Sequence, residues 1–508
     1  MTIPRSRSAL ARLILLSLTL AVGCTSVPPR QTSSQVTSLK LLRQHIDKLV
    51  EETDPHAHVG IHVMSLPSGK PVYSRNAARL FTPASTLKVI TAAAALHYLG
   101  PSHRFVTKLL TDAKRPRRGR LNMLYLVGGG DPTLGHGDLA DLADRLKQLG
   151  VRTIRGDIVV DDSLFDNVLW GKGWMWDDRP LAYSAPIEAA SCDSNRLLVR
   201  LTPGDRVGDP AHVLMSYNTT FVKVKNRVTT VKPNRSISLS INVLNPKQPQ
   251  QRDGKQGLQY GETIDLQGSV PLGSAGRTLK FAVGQPSLFA GTVLKEQLKL
   301  LGITVKGRVR RGEVPTQGTK KLTAHRSASL RELLVELLRT SDDHATESLI
   351  KIIGVHVREA PGSFAAGKQA VLEFMRQHTG VSTRTLLLAD GSGLSRYSLV
   401  SPRQMTSVLR FTWNNFALRP DFIGSLPRLA TYSNHLAKGL DPHSIVRHAR
   451  VKTGTLTGVR NLAGYLVTTH GDPLAFTIFI NGFVGSGAPY RQLQQRILRA
   501  LADLPKQE

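Results

Sequence analysis

A chain of 508 residues is too long for one ordinary domain and long enough to bury a large core. Hydrophobic residues at 41% and charged residues at 20% exclude a disordered protein. The net charge of +30 calls for anionic partners, but the basic residues are dispersed and aromatics make up only 6%, with no stacking motif; this argues against nucleic acid.

Residues 1–23 read as a signal peptide: Arg5, Arg7 and Arg12 precede the apolar run Leu13 to Val22, then Gly23-Cys24. A small residue before a cysteine resembles a lipoprotein cleavage site, which would make Cys24 a lipidated N-terminus. Ala21 stands where Leu is commoner, and the alternative is a plain secretory signal cut nearby. Either route exports the chain. Its anionic partners are then lipid headgroups, lipopolysaccharide or the carboxylates of peptidoglycan stems. The lipoprotein resemblance implies, with Thr25 rather than Asp after the cysteine, an outer-membrane anchor in the periplasm. Residues 24–37, rich in Ser, Thr and Pro, read as a tether.

Leu39 to Val50 has helical apolar spacing, and His58 to Met64 and Pro71 to Ser74 read as strands joined by the turn Leu66-Pro-Ser-Gly69. His56, His58 and His62 have ligand-like spacing, but no second cluster supports a metal, and no cofactor is expected. Pro83-Ala-Ser-Thr-Leu-Lys88 then opens a helix running to about Gly100. Ser85 and Lys88, three apart, fall on one helix face, where a lysine amine can take the serine proton. Such a pair also occurs by chance on capped surface helices, so it needs support from elsewhere in the chain.

The stretch 106–317 favours strands at Leu124 to Val127, Asp157 to Val160, Leu197 to Leu201, Val222 to Val231 and Ile237 to Val243, separated by Asn, Gly and Pro. The basic cluster Lys114 to Arg120 reads as a solvated loop, and Gly128 to Leu134 as a structural turn, since no Gly-Lys-Ser/Thr follows it. Cys192 has only Cys24 as an intramolecular partner and reads as a buried thiol. A helix over Leu330 to Leu338 leads into Ser341-Asp342-Asp343. Strands follow at Val451 to Gly454, Ala463 to Thr468 and Ala475 to Ile480, then a helix near Tyr490 to Leu501.

Lys452-Thr453-Gly454 supplies the support that the Ser85 pair lacks. Ser-x-x-Lys, Ser-Asp-Asn and Lys-Thr-Gly mark class A β-lactamases and penicillin-binding proteins, and all three occur here in order, with Asp343 in the last place of the middle one. Tyr183-Ser-Ala-Pro186, Asp390-Gly-Ser-Gly-Leu-Ser395 and Lys452-Thr-Gly-Thr-Leu456 narrow the likeness. The chain resembles class C low-molecular-mass penicillin-binding proteins of the D-alanyl-D-alanine carboxypeptidase/endopeptidase type.

That resemblance implies an α/β (α+β) transpeptidase/β-lactamase-like domain, split into 38–105 and 318–508, with the β-rich insert 106–317 forming one or two extra domains. It further implies that Ser85 is the nucleophile, Lys88 its base and Ser341 a proton relay. Lys452 and Thr453 would hold a substrate carboxylate, and Gly454 would leave room for the substrate backbone. The N–H groups of Ser85 and Thr455 would form an oxyanion hole. The substrates are peptidoglycan stem peptides, and β-lactams are covalent inhibitors. The family has Asn where Asp343 stands. An ionised Asp only accepts hydrogen bonds and favours the charged form of Lys88. The segment Tyr432 to Asp441 departs as well, where the family carries Gly-Thr-Leu and a basic residue. Three readings follow: a DD-peptidase, a catalytically impaired peptidoglycan-binding scaffold, and a β-lactamase or esterase.

Overall fold

In the computed structural model, residues 33–112, 118–244, 261–358, 361–432 and 436–506 are described. The expected signal peptide, Cys24 and most of the Lys114 cluster lie outside these residues.

A five-stranded antiparallel sheet takes its strands from both ends of the chain, in the order Arg450–Leu456, Val459–Val467, Pro473–Asn481, His58–Ser65 and Pro71–Arg75. Its alternating side chains serve two cores, as a period of two requires. Leu474, Phe476, Ile478 and Ile480 face a layer built with helices α1 (Ser33–Thr53) and α10 (Ala488–Ala502). Ala475 and Phe479 face the opposite side, into the helical core. There Thr477 Oγ1 lies 2.9 Å from Thr406 Oγ1.

The helical core is built around α2 (Lys88–Leu99), whose Ala92 to Ala95 are all buried. Such small side chains let neighbouring helices approach closely. Between α2 and the second half of this region come α3 (His136–Gln148) and α4 (Pro286–Leu300). The helical layer continues with α5 (Leu330–Thr340), α6 (Asp343–Arg358), α7 (Phe364–His378), α8 (Pro402–Asn414) and α9 (Arg419–Ser425). Helix α5 starts at a capping box: Glu332 Oε2 accepts from Ser329 N at 2.8 Å and from Ser329 Oγ at 2.6 Å.

The intervening stretch has its own core. A mixed sheet runs Val309–Arg311, Ile158–Asp161, Leu124–Val127, Val106–Thr111, Lys320–Arg326. Three three-stranded sheets accompany it among the described residues, centred on Glu262–Pro271, Arg196–Thr202 and Thr153–Ile154. Two findings differ from the sequence reading. Helices α3 and α4 sit within the stretch read only as strands. Lys320–Arg326, placed after the boundary at 317, pairs antiparallel with Val106–Thr111, so this sheet runs past that boundary.

Candidate active site

Ser85 lies in a 3-10 turn, Ala84–Leu87, and Lys88 is the first residue of α2 proper. The sequence reading placed Ser85 inside the helix itself. The tighter turn follows from its surroundings. Ala84 adopts φ +47, a left-handed conformation that disfavours a side chain. The backbone just before it is pinned from the sheet: Thr82 N donates to Asn481 Oδ1, and Asn461 Nδ2 donates to Thr82 O, both at 2.8 Å. Asn461 Oδ1 also accepts from Ile480 N and Asn481 Nδ2.

Ser85 is half-buried and Lys88 fully buried. Lys88 Nζ makes three contacts: Ser85 Oγ at 3.0 Å, Asp343 Oδ1 at 2.5 Å and the carbonyl of Ser392 at 2.8 Å. An ammonium has three hydrogens, and each finds an acceptor. With the proton gone, two hydrogens would stay on Asp343 and Ser392, and the lone pair would face Ser85 Oγ. This geometry suits a base.

Ser341, Asp342 and Asp343 form the sharp junction between α5 and α6, with Ser341 at φ +61 capping α5. Each side chain has a separate partner. Ser341 Oγ accepts from Lys452 Nζ at 2.9 Å. Asp342 receives a bidentate pair from Arg196, both bonds 2.8 Å. Asp343 meets Lys88. Next to them His344 is wholly buried, its Nε2 3.1 Å from Asn195 Nδ2, and burial drives its imidazole down to about 3. Asn195 ends, and Arg196 follows, a run of positive-φ residues, Asp193 to Asn195, in the stretch between residues 106 and 317.

Lys452, on the edge strand Arg450–Leu456, is fully buried. Its ammonium is held by Ser341 Oγ and by Thr453 O at 3.0 Å. Burial, with the Lys88 charge adding to it, lowers its proton affinity well below the usual lysine range, while Asp343 opposes this. The sequence reading put Lys452 at the substrate surface; here it stands behind Ser341, and the half-buried Thr453 and exposed Thr455 face outward on the same strand. Gly454 packs against the Ser85 turn. A Cβ there would lie 2.8 Å from Pro83 O and 3.0 Å from Thr86 N, so the missing side chain makes room for the Ser85 turn.

Asp390-Gly-Ser-Gly-Leu-Ser395 enters this site, although the sequence reading used it only as a family mark. Its Ser392 carbonyl holds Lys88, and its Gly391 carbonyl accepts from Thr91 Oγ1 at 2.7 Å. Gly393, at φ +80, lies so close to the Ser85 turn that a Cβ would sit 1.9 Å from Ala84 O. Glu347 on α6 accepts from the N–H groups of Gly391 and Ser392. Burial, reinforced by the nearby Asp390 charge, pushes its carboxyl up to about 8. Asn461 and Asn481 were also missed; polar residues inside buried strands were the available signal. Cys192 is buried, and burial raises its thiol well above the usual range.

Residues 42–503 match the D-Ala-D-Ala carboxypeptidase 3 (S13) family. The chain is 34% identical over 498 residues to a D-alanyl-D-alanine carboxypeptidase of Actinomadura sp., covering 95% of this chain and 88% of that protein. It is 30% identical over 441 residues to the D-alanyl-D-alanine carboxypeptidase DacB of Haemophilus influenzae, covering 86% and 88%. The crystal structure of penicillin binding protein 4 (dacB) from Haemophilus influenzae superposes with a TM-score of 0.77 at 28% identity, over 90% of this chain and 99% of that one. A second crystal structure of that protein, complexed with a novel β-lactam, gives 0.73 at 27% identity. With the family matched over nearly the whole chain and its three motifs gathered around Ser85, the protein belongs to the D-Ala-D-Ala carboxypeptidase 3 (S13) family of serine peptidases, and is a hydrolase.

Proposed function

We propose that the protein is a serine DD-peptidase that cleaves the bond after a D-alanine in peptidoglycan stems, as a carboxypeptidase on D-Ala-D-Ala, as an endopeptidase on D-Ala-diaminopimelate cross-links, or as both. The observation that carries this reading is the Lys88 amine, 3.0 Å from Ser85 Oγ and fixed by two further acceptors. Ser85 Oγ attacks the carbonyl carbon while its proton passes to the neutral Lys88 amine. The C–N bond then breaks: Ser341 gives its hydroxyl proton to the leaving amine and takes one from the Lys452 ammonium hydrogen-bonded to it, which the proton of the hydrolytic water later replaces. Water hydrolyses the Ser85 ester and restores the hydroxyl. The N–H groups of Ser85 and Thr455 serve as the oxyanion donors, and each such donor typically contributes about 3–4 kcal/mol. Thr453 answers the substrate carboxylate, and the charge of Lys452 supports it from behind Ser341. β-Lactams enter the same path and stop at the acyl-enzyme. The apolar run before Gly23-Cys24 supports an exported, periplasmic enzyme, lipid-anchored through Cys24 to the outer membrane.

A second reading is favoured by one contact, the 2.5 Å pairing of Lys88 with Asp343. In it the lysine stays charged, and the protein binds peptidoglycan without turnover. Intact-mass analysis after incubation with benzylpenicillin, beside Ser85→Ala, separates the two. A stoichiometric adduct on the parent alone, with D-alanine released from a D-Ala-D-Ala peptide, is the expected result. A folded parent that takes no adduct sinks the peptidase reading.

A further inference from the structure

The loop Asp390 to Ser395 contributes no side chain to Ser85 or Lys88, yet its backbone supplies one of the three lysine acceptors. Asp390 is fully buried, and five donors converge on its carboxylate. Gly393 N at 3.2 Å and Ser398 Oγ at 3.0 Å reach Oδ1. Ser395 N at 2.6 Å, Trp174 Nε1 at 3.1 Å and Ser392 Oγ at 3.4 Å reach Oδ2. Gly393 N and Ser392 O belong to the same peptide unit. Its N–H is held by Asp390, and its C=O holds Lys88 Nζ at 2.8 Å. A planar amide gripped at its N–H cannot swing its carbonyl away. The bonds also run head to tail from carboxylate to ammonium, so each polarises the next.

We propose that Asp390 is a positioning residue for the reaction: through the Ser392–Gly393 peptide it fixes the carbonyl that aims the Lys88 lone pair at Ser85. With two Lys88 hydrogens committed to Asp343 and Ser392, only one direction remains for the lone pair. Losing the Ser392 anchor lets the amine rotate. Trp174, from the stretch between residues 106 and 317, thereby acts on the catalytic lysine through Asp390 without touching it. The ionisable groups near Asp390 are Glu347 on α6, Lys88 on α2 and Lys368 on α7, whose Nζ donates to Ala389 O at 3.0 Å.

The inference rests on the Ser85 acylation reading, and the test keeps the two apart. Benzylpenicillin acylation is followed by stopped flow in the full chain, separating the binding constant from the first-order acylation rate, for the parent, Asp390→Asn and Trp174→Phe. A parent that is not acylated refutes the Ser85 reading itself. If the parent reacts, Asp390→Asn is expected to slow the acylation rate by roughly tenfold to a hundredfold while binding stays within about twofold. Trp174→Phe should slow acylation by about threefold to tenfold. A purely structural role would lower the melting temperature and the active fraction, but leave the binding constant and the acylation rate of the active fraction unchanged. Rates within about twofold of the parent in both variants overturn the proposal. If Asp390→Asn does not fold, Trp174→Phe alone decides it.

Discussion

Lys88 Nζ stands 2.5 Å from Asp343 Oδ1, closer than to the serine it is proposed to activate. Asparagine at 343 keeps an oxygen for the same hydrogen bond and removes the charge that holds the ammonium. Asp343→Asn is therefore expected to speed benzylpenicillin acylation at neutral pH by about tenfold. A slower variant would show that the carboxylate itself takes part in moving the proton.

Gly393 provides a steric test. Alanine there would place Cβ 1.9 Å from Ala84 O at a φ of +80, displacing the turn that presents Ser85. Acylation should fall by roughly a hundredfold. Gly439 has nearly the same φ with nothing within 4 Å of the added carbon. Gly439→Ala should therefore cost only backbone strain, about 1 kcal/mol, with normal acylation. Equal effects in both variants would remove the contact with Ala84 as the cause.

Arg196 and Asp342 form a bidentate pair with little solvent access at the carboxylate, and Arg196 holds that carboxylate below its usual range against the opposing effect of burial. Arg196→Ala leaves a largely buried charge alone, which typically costs about 3–5 kcal/mol. Urea unfolding should show a lower midpoint with an unchanged slope. Because Asp342 adjoins Asp343, acylation should also slow in the folded fraction.

The pH dependence of stability has two limbs of opposite sign. His344 and His62 are buried and lowered to about 3 and about 4. The unfolded chain therefore binds protons that the folded chain refuses once the pH drops below about 6.5, and each histidine removes about 2 kcal/mol by pH 5. Glu347 is raised to about 8. Between its unfolded value and pH 8 the folded chain holds a proton the unfolded chain lacks, so stability declines as pH rises through that window. The maximum should lie near pH 6. His344→Gln should flatten the acid limb and Glu347→Gln the alkaline one, as read from unfolding midpoints across pH 4–9. An unchanged profile in both variants would refute this assignment.

Much of this was legible in the sequence because periodicity and short motifs report local structure. Leu39 to Val50, the Leu330 helix and the three C-terminal strands follow directly from their apolar spacing. Ser85, Lys88 and Lys452 stood out through motifs whose spacing is fixed by chemistry. Helix α3 was also readable, since Leu139, Leu142, Ala143 and Leu146 repeat as a helix face does, but the sequence reading assigned no element between Leu134 and Asp157. The rest depends on tertiary contact. Nothing local indicates that Ala84 takes a left-handed conformation, that Gly454 clears space for the Ser85 turn, or that the Ser392 carbonyl reaches Lys88 across the fold. The burial of Lys452 likewise becomes visible only once Ser341 is in place.

Ser85, Ser341 and the Lys452 strand are spread over most of the chain, and the sheet joins its last strands to its first. Closure of so long a loop makes folding slow and late. Ser85 and Lys88 emerge early in synthesis, but Asn461, Asn481 and Lys452 come near the end. Until the C-terminal third docks, the Ser85 turn lacks both its pins and its neighbouring strand. The Ser85 site is thereby tied to completion: a chain cut before residue 450 carries Ser85 and Lys88 yet lacks the framework that holds their turn.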